Sequence, residues 1–315
     1  MGHSRVSNLS CAAGAMLLLA CLASCDDSST TPPIPQTVNR IYVANGDSIT
    51  VFASSANGNV APRAAIGGPN SGIQSTSLAV NSGRIYVTNF LSNLITIFAS
   101  DAHDDAAPVD TLIALCPEEV AIDVAGRIYT ANGCIDRITV FAKGASGNAA
   151  PIQSIFGDQT GLSHPTGAAA DGAGRIYVVN YSNHSITVYD TGADGNVAPV
   201  SLISGIDTGL FYPMRIALSA NHIYVANFGG DSILVFAKDA NGTVRPLRAI
   251  VGGSTGLDGP SGVALDSAGT IYVTNSTGSR ITVYGAGSNG DTTPITLIAG
   301  DNTRLSFPAD VGIAP

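Results

Sequence analysis

From Gly259 to Gly300 the chain reads GPSGVALDSAGTIYVTNSTGSRITVYGAGSNGDTTPITLIAG, and its hydrophobic positions fall into four short runs: GVALD, TIYVTN, ITVYG and PITLIAG. Each run is rich in β-branched or aromatic residues, and Gly, Asn, Ser and Asp clusters separate them. That pattern predicts four strands joined by tight turns. Both faces of such a sheet are apolar, so it has to stack against further sheets of its own kind.

The further copies are present. The IYV-type run recurs at Arg40, Arg84, Arg127, Arg175, His222 and Thr270, at spacings of 44, 43, 48, 47 and 48 residues. Each is followed by an ITVF-type run starting at Ile49, Ile95, Ile138, Ile186, Ile233 or Ile281. A hairpin turn such as Asn57-Gly58, Asp194-Gly195 or Asn241-Gly242 comes next. The fourth run then opens behind Pro62, Pro108, Pro151, Pro199, Pro246 or Pro294. Proline there suits an outer edge strand and blunts pairing with other chains. A period of this length with four strands per copy predicts an all-β, six-bladed β-propeller with four-stranded blades.

The first run of each copy begins near Ser75, Glu118, Thr166, Met214 and Ser261, but none precedes Arg40. The missing sixth is ADVGIAP, residues Ala309–Pro315, at the end of the chain. The ring is therefore expected to close by pairing the C-terminal strand with the N-terminal blade, which removes two exposed edges.

The pattern P-x-G-V-A-L-D-x-x-G-x-I-Y-V-T-N-x-x-x-x-x-I-T-V resembles the NHL repeat, and the resemblance runs from Arg40 to Pro315. The NHL strand usually ends in Asp, where this chain has Asn45, Asn89, Asn132, Asn180, Asn227 and Asn275. The resemblance implies a propeller that binds proteins, peptides or nucleic acids, and some relatives are enzymes. Fold alone does not choose among these.

Charge narrows the choice. The 315 residues carry a net charge of -9, and Lys occurs only at 143 and 238. Such a chain is a poor ligand for phosphate backbones, so no nucleic-acid partner is expected.

The first 25 residues read as an export leader. Arg5 supplies a positive start, and Cys11–Ala23 is an apolar stretch of 13 residues, short for a membrane span. Leu22-Ala23-Ser24-Cys25 resembles a bacterial lipobox, which implies cleavage before Cys25 and lipidation of that residue; Leu18-Leu19-Ala20-Cys21 is a second candidate. The alternative is an ordinary cleaved leader with a chance cysteine. Asp26-Asp27 resembles an inner-membrane retention signal of enteric bacteria, and the choice of membrane stays open. Residues 26–38, DDSSTTPPIPQTV, read as an extended tether, and 39–315 as the propeller. The expected location is the bacterial envelope, with the propeller outside the cytoplasm.

Candidate site residues lie where the copies differ. Aligned on Gly262, the inner strands carry Ser77, Glu119, Gly167, Arg215, Gly262 and Asp310, and one residue earlier Thr76, Glu118, Thr166, Met214, Ser261 and Ala309. Glu118, Glu119, Met214, Arg215 and Asp310 around a narrow axis make a candidate channel-mouth pocket. The alternative is a set of charges that merely pair, Arg215 with Glu119 or Asp310. Asp47, Asn93, Asp136, His184, Asp231 and Ser279 share one loop position and read as loop hydrogen bonding. The six aligned Asn residues read as scaffold too. Phe90, Tyr181 and Phe228, with Tyr212 and Phe307, make a candidate aromatic rim suited to peptide or glycan, or else cover for blade junctions.

Cys116 stands just before an inner strand and Cys134 in the loop after the second strand of the same sheet. Export permits a disulfide between them, worth about 3 kcal/mol for so short a loop. No nucleophile elbow, zinc motif or phosphate loop appears. No cofactor is expected. A divalent metal held by His164, His184 and Glu118 or Glu119 is the one alternative. The expected function is an envelope binding or scaffold module for a protein, peptide or glycan. The runner-up is a metal-dependent, lactonase-like hydrolase or a lyase at the channel mouth.

Overall fold

The computed structural model describes residues 40–314. The export leader, Cys25 and the tether lie outside the described residues. Six four-stranded antiparallel sheets form a ring. Blade 1 runs β24 (Asp310–Ala314), β1 (Arg40–Ala44), β2 (Ser48–Ala53), β3 (Ala64–Gly67) from the axis outward. Blade 2 is β4 (Ser75–Asn81), β5 (Arg84–Asn89), β6 (Leu94–Ala99), β7 (Asp110–Ile113). Blade 3 is β8 (Pro117–Ile122), β9 (Ile128–Asn132), β10 (Arg137–Phe141), β11 (Gln153–Phe156). Blade 4 is β12 (Pro165–Ala170), β13 (Ile176–Asn180), β14 (Ser185–Tyr189), β15 (Ser201–Ile203). Blade 5 is β16 (Pro213–Leu218), β17 (His222–Asn227), β18 (Ser232–Ala237), β19 (Arg248–Ile250). Blade 6 is β20 (Pro260–Leu265), β21 (Ile271–Asn275), β22 (Arg280–Tyr284), β23 (Thr296–Ala299). The innermost strands β24, β4, β8, β12, β16 and β20 each pack against the next around the axis. The predicted closure is present: β24 pairs with β1 from Arg40↔Ala314 to Ala44↔Asp310.

The core lies between blades rather than within one. Each of the six buried clusters draws on two neighbouring sheets. Tyr42, Ala44 and Ile49 of blade 1 pack with Leu78, Ile85 and Phe98 of blade 2. Ile41, Val43 and Phe52 of blade 1 turn the other way and pack with Tyr272, Ile281 and Val283 of blade 6. The period of two along a strand thus serves two junctions at once, which is why both faces of every sheet are apolar.

The outer edges are bridged as well as blunted. The strand-three-to-four loop of each blade pairs with the outermost strand of the preceding one, as in Leu112↔Gly147, Ile155↔Gly195 and Ile203↔Gly242. Across the closure, Gly58↔Ile298 joins blades 1 and 6.

Candidate functional site

A β-bulge recurs near the start of the inner strand in blades 2 to 6. Pairing slips between Ser75 and Ser77, Pro117 and Glu119, Pro165 and Gly167, Pro213 and Arg215, and Pro260 and Gly262. A bulge leaves one residue out of the ladder and re-aims its peptide groups. The skipped residues are Thr76, Glu118, Thr166, Met214 and Ser261.

Four of their carbonyls converge on Arg215. Its Nη1 donates to Thr166 O at 2.6 Å and Met214 O at 3.2 Å. Its Nη2 donates to Thr76 O at 2.7 Å and Glu118 O at 2.9 Å. Its Nε has no hydrogen-bond partner and faces Asp310 Oδ2 at 3.9 Å. Arg215 is 2% exposed, so a guanidinium fills the axis and ties four blades together.

The neighbouring positions alternate small and large around the ring: Ser77, Glu119, Gly167, Arg215, Gly262, Asp310. A Cβ on Gly167 would stand 2.8 Å from Glu119 Oε2, and one on Gly262 2.8 Å from Asp310 Oδ1. The two glycines make room for the two buried carboxylates. Glu119 accepts from the Ala168 N–H. Asp310 accepts from Ser77 Oγ at 2.7 Å, Leu78 N at 3.2 Å and Val311 N at 2.8 Å.

Burial, more than any neighbour, pushes the Glu119 carboxyl well above the usual range; Arg215 pulls it partly back and Asp310 adds to the rise. Burial likewise raises Asp310 against Arg215 and its hydrogen bonds. The folded protein therefore holds the Glu119 proton more tightly than the unfolded chain does. This group's contribution to stability is complete below the ordinary glutamate pKa and is lost as pH rises through the folded value. Glu119→Gln, which keeps an acceptor for Ala168, should match the parent protein near pH 4 and outlast it increasingly at higher pH. Denaturant midpoints across that range check this; a variant that is relatively weaker at alkaline pH refutes it.

The sequence places Glu118, Glu119, Met214, Arg215 and Asp310 together, and the structure gathers them round the axis. Glu119, Arg215 and Asp310 are buried, whereas Glu118 and Met214 are half-buried above them.

On the upper face, where chain segments enter the inner strands, aromatic rings form a continuous chain. His164 lies 5.7 Å from Tyr181, Tyr181 4.8 Å from Tyr212, and Tyr212 4.5 Å from His184 and 4.6 Å from Phe211, between ring centres. His164 Nε2 stands 3.7 Å from Glu118 Oε1. Thus His164, His184 and Tyr181 come together, and Tyr212 joins them. Among the described residues, no ring contact brings in Phe90, Phe228 or Phe307; Phe228 instead packs beside Gly259.

Phe211 escapes sequence reasoning. Its aligned neighbours are Leu115, Ser163, Asp258 and Ser306, so a lone departure to an aromatic side chain was the available signal. The carbonyl ring has no sequence signal, because every residue owns a carbonyl.

The polar loop position proves to be an inter-blade clamp. Asn93 Oδ1 accepts from Cys116 N at 2.7 Å, Asp231 Oδ1 from Gly259 N at 2.7 Å, and His184 Nδ1 from Tyr212 N at 3.0 Å. Asp136 and Ser279 do the same for His164 and Phe307. All ten residues have positive φ, from 39° at Asp231 to 63° at Gly259. Each clamp offsets an unfavourable backbone state at the very junction it ties. His184→Ala should cost about 1 kcal/mol of stability, while His184→Asn, copying Asn93, should retain most of it. Equal melting temperatures for both variants would refute the clamp.

The aligned Asn residues are scaffold. Asn89, Asn180, Asn227 and Asn275 each accept from the backbone N–H of the segment leading into their own inner strand. Asp171 and Asp266 accept from the hydroxyls of Tyr177 and Tyr272 in the turn below.

Cys116 and Cys134 form a disulfide, with Cα atoms 5.9 Å apart and 18 residues of separation. It staples the segment before β8 to the loop after β9. Reducing it should cost about 3 kcal/mol in the chain-entropy account. A thiol assay on the folded protein beginning at residue 26 should find no free thiol, and two reactive thiols would contradict the bridge.

Among the described residues no three His, Cys, Asp or Glu side chains gather as a metal site. An open groove of about 370 Å³ lies on the flank of blades 1 and 2, lined by Ser48, Thr50, Ala65, Gly67, Asp104, Asp105 and Arg304. It includes none of the channel-mouth or aromatic residues.

Comparison with known proteins agrees with this architecture. Residues 162–189 and 257–284 match the NHL repeat. No curated protein matches the chain. A Bacteroides caccae protein of unknown function superposes with a TM-score of 0.64 at 10% identity, over 88% of this chain and 99% of that one. A chain of a nidogen/laminin complex superposes with a TM-score of 0.62 at 16% identity, over 88% and 98%. A streptogramin B lyase gives 0.50 at 14% identity, over 79% and 74%. Identities this low speak for the fold alone. The chain is a six-bladed β-propeller, two stretches of which match the NHL repeat.

Proposed function

We propose that this propeller is an exported, lipid-tethered binding or scaffold module of a bacterial envelope. Its partner, a protein, peptide or glycan, rests on the upper face over blades 4 and 5. The carrying observation is the continuous ring chain His164–Tyr181–Tyr212–His184–Phe211. Phe211 is 47% and Tyr212 36% exposed, and large exposed aromatic clusters are commonly recognition surfaces. The adjacent channel holds Arg215, so binding falls to the rim. The leader sequence, the lipobox-like Leu22–Cys25 and the Cys116–Cys134 disulfide support export. The nidogen/laminin likeness is consistent with a protein partner.

Two experiments test it. Radiolabelled palmitate should enter the full chain and not Cys25→Ser; equal labelling sinks the anchor. Envelope extracts should lose a captured partner when Tyr181→Ser and Tyr212→Asn are combined, with the melting temperature held. Asn is chosen because it tolerates the positive φ at 212. Unchanged capture sinks the aromatic face.

A second reading, a hydrolase or lyase at the mouth, has one observation in its favour: the His164–Glu118 pair, a base beside a carboxylate. Stoichiometric calcium or zinc in the purified protein, with a raised melting temperature, would move the assignment towards it.

A further inference from the structure

Four ring faces elsewhere in the propeller are covered by the chain's own cations. Arg137 lies over Phe156 at 4.5 Å, Arg127 over Tyr129 at 5.7 Å, Lys238 over Tyr177 at 5.7 Å and Arg248 over Tyr224 at 5.8 Å. Among the described residues, no cation lies over Tyr181, Phe211 or Tyr212.

The surroundings of these rings are acidic. The upper-face loops of blades 3 to 5 are residues 114–117, 133–136, 157–164, 181–184, 204–212 and 228–231, and they contain no Lys or Arg. They contain Asp136, Asp158, Asp207 and Asp231, and Glu118 stands at the start of β8. Glu118 reaches His164, the first ring of the chain. The cations of this face are Arg137, which opens β10 in blade 3 and lies over Phe156, Arg280 at the equivalent position of blade 6, already paired with Asp258 at 2.9 Å, and Arg304 in the segment entering blade 1. Blades 3 to 5 therefore carry an excess of carboxylates on this face, and the rings of Tyr181, Phe211 and Tyr212 lie among them.

Resting on the binding-module reading, we propose that the partner is a basic protein segment. An Arg or Lys side chain of that segment lies on the Tyr181–Tyr212 rings, its charge faces Glu118, and a neighbouring apolar side chain packs on Phe211. A ring face attracts a cation through its quadrupole, and a nearby carboxylate adds to this at a partly desolvated site. A neutral glycan would use the rings and leave the excess negative charge uncompensated, so the charge pattern favours the peptide.

The test uses the full chain in detergent and a fluorescent peptide of Gly-Arg-Leu repeats. Controls are its Gly-Glu-Leu counterpart and the neutral oligosaccharide chitohexaose. The Arg peptide should bind at least about tenfold tighter than the Glu peptide. Tyr181→Ser with Tyr212→Asn should weaken it about tenfold or more, and Glu118→Gln about threefold. Raised salt should weaken it further. If the double variant does not fold, Glu118→Gln and the salt series still decide the matter. Equal affinity for both peptides, no binding, or binding indifferent to Glu118 overturns the proposal. Chitohexaose binding that depends on Tyr212 overturns the basic partner and leaves the recognition face standing. No binding of any probe, with envelope capture unaffected by the ring variants, removes both.

Discussion

A chain ending at Ala309 should lose the cooperative melting transition of the whole propeller rather than fray at one blade. Residues 310–315 include β24, the inner strand of blade 1. It pairs with all five residues of β1. Val311 is buried in the junction with blade 6, and Asp310 reaches across to Ser77 and Leu78 of blade 2. Removing the strand opens two inter-blade cores and exposes the inner edge of β1. The loss should amount to more than about 5 kcal/mol, on the order of a domain's entire stability. A synthetic peptide of residues 306–315, added in excess, should restore the transition by strand addition. A truncated protein with an unchanged melting curve would refute the closure argument.

Arg215→Met should be the most damaging single substitution in the propeller, costing about 3–5 kcal/mol. Methionine keeps the volume and loses every donor. Four bulge carbonyls then lack their partner, and Asp310 keeps a buried carboxylate with no cation beside it. Arg215→Lys should fail almost as badly, because a point charge cannot reach carbonyls spread over four blades as a planar fork does. Adding Asp310→Asn to Arg215→Met should recover part of the loss, since it removes the stranded charge, and a double-mutant cycle reads the coupling. A melting temperature for Arg215→Met close to that of the parent protein would show that the guanidinium ties nothing together.

These variants act through different parts of the sequence-to-structure relation. The closure was legible in the sequence because the missing first run and the orphan C-terminal run match one pattern. The disulfide was legible because both cysteines fall at the same end of one sheet. Glu118, Glu119, Met214, Arg215 and Asp310 were legible as a set because they interrupt an otherwise repeated position. What they do was open to two readings, since a charged ring suits either a ligand or its own members. The structure shows Arg215 spending its donors on backbone carbonyls.

The polar loop position read as loop hydrogen bonding, and the structure adds that its bonds cross to the next blade. Sequence spacing gives neighbours along a strand, whereas this contact depends on how two sheets are splayed about the axis. The aromatic cluster was half legible for the same reason. Tyr181 and Tyr212 follow from repeat alignment, but Phe211 and the two histidines join them only because blades 4 and 5 bring separate loops within ring contact. Phe90, Phe228 and Phe307 share the face and not the cluster.

By itself, the sequence determined the number of blades, the order of strands, the ring closure and the alternation that buries both sheet faces. Each of these follows from local periodicity and from the need to cover apolar surface. Only the tertiary structure decided which bulge carbonyls meet at the axis, which side chain caps which junction, and which aromatic rings touch. Those contacts are set by the angles between blades, and no pattern within one repeat encodes an angle to the next.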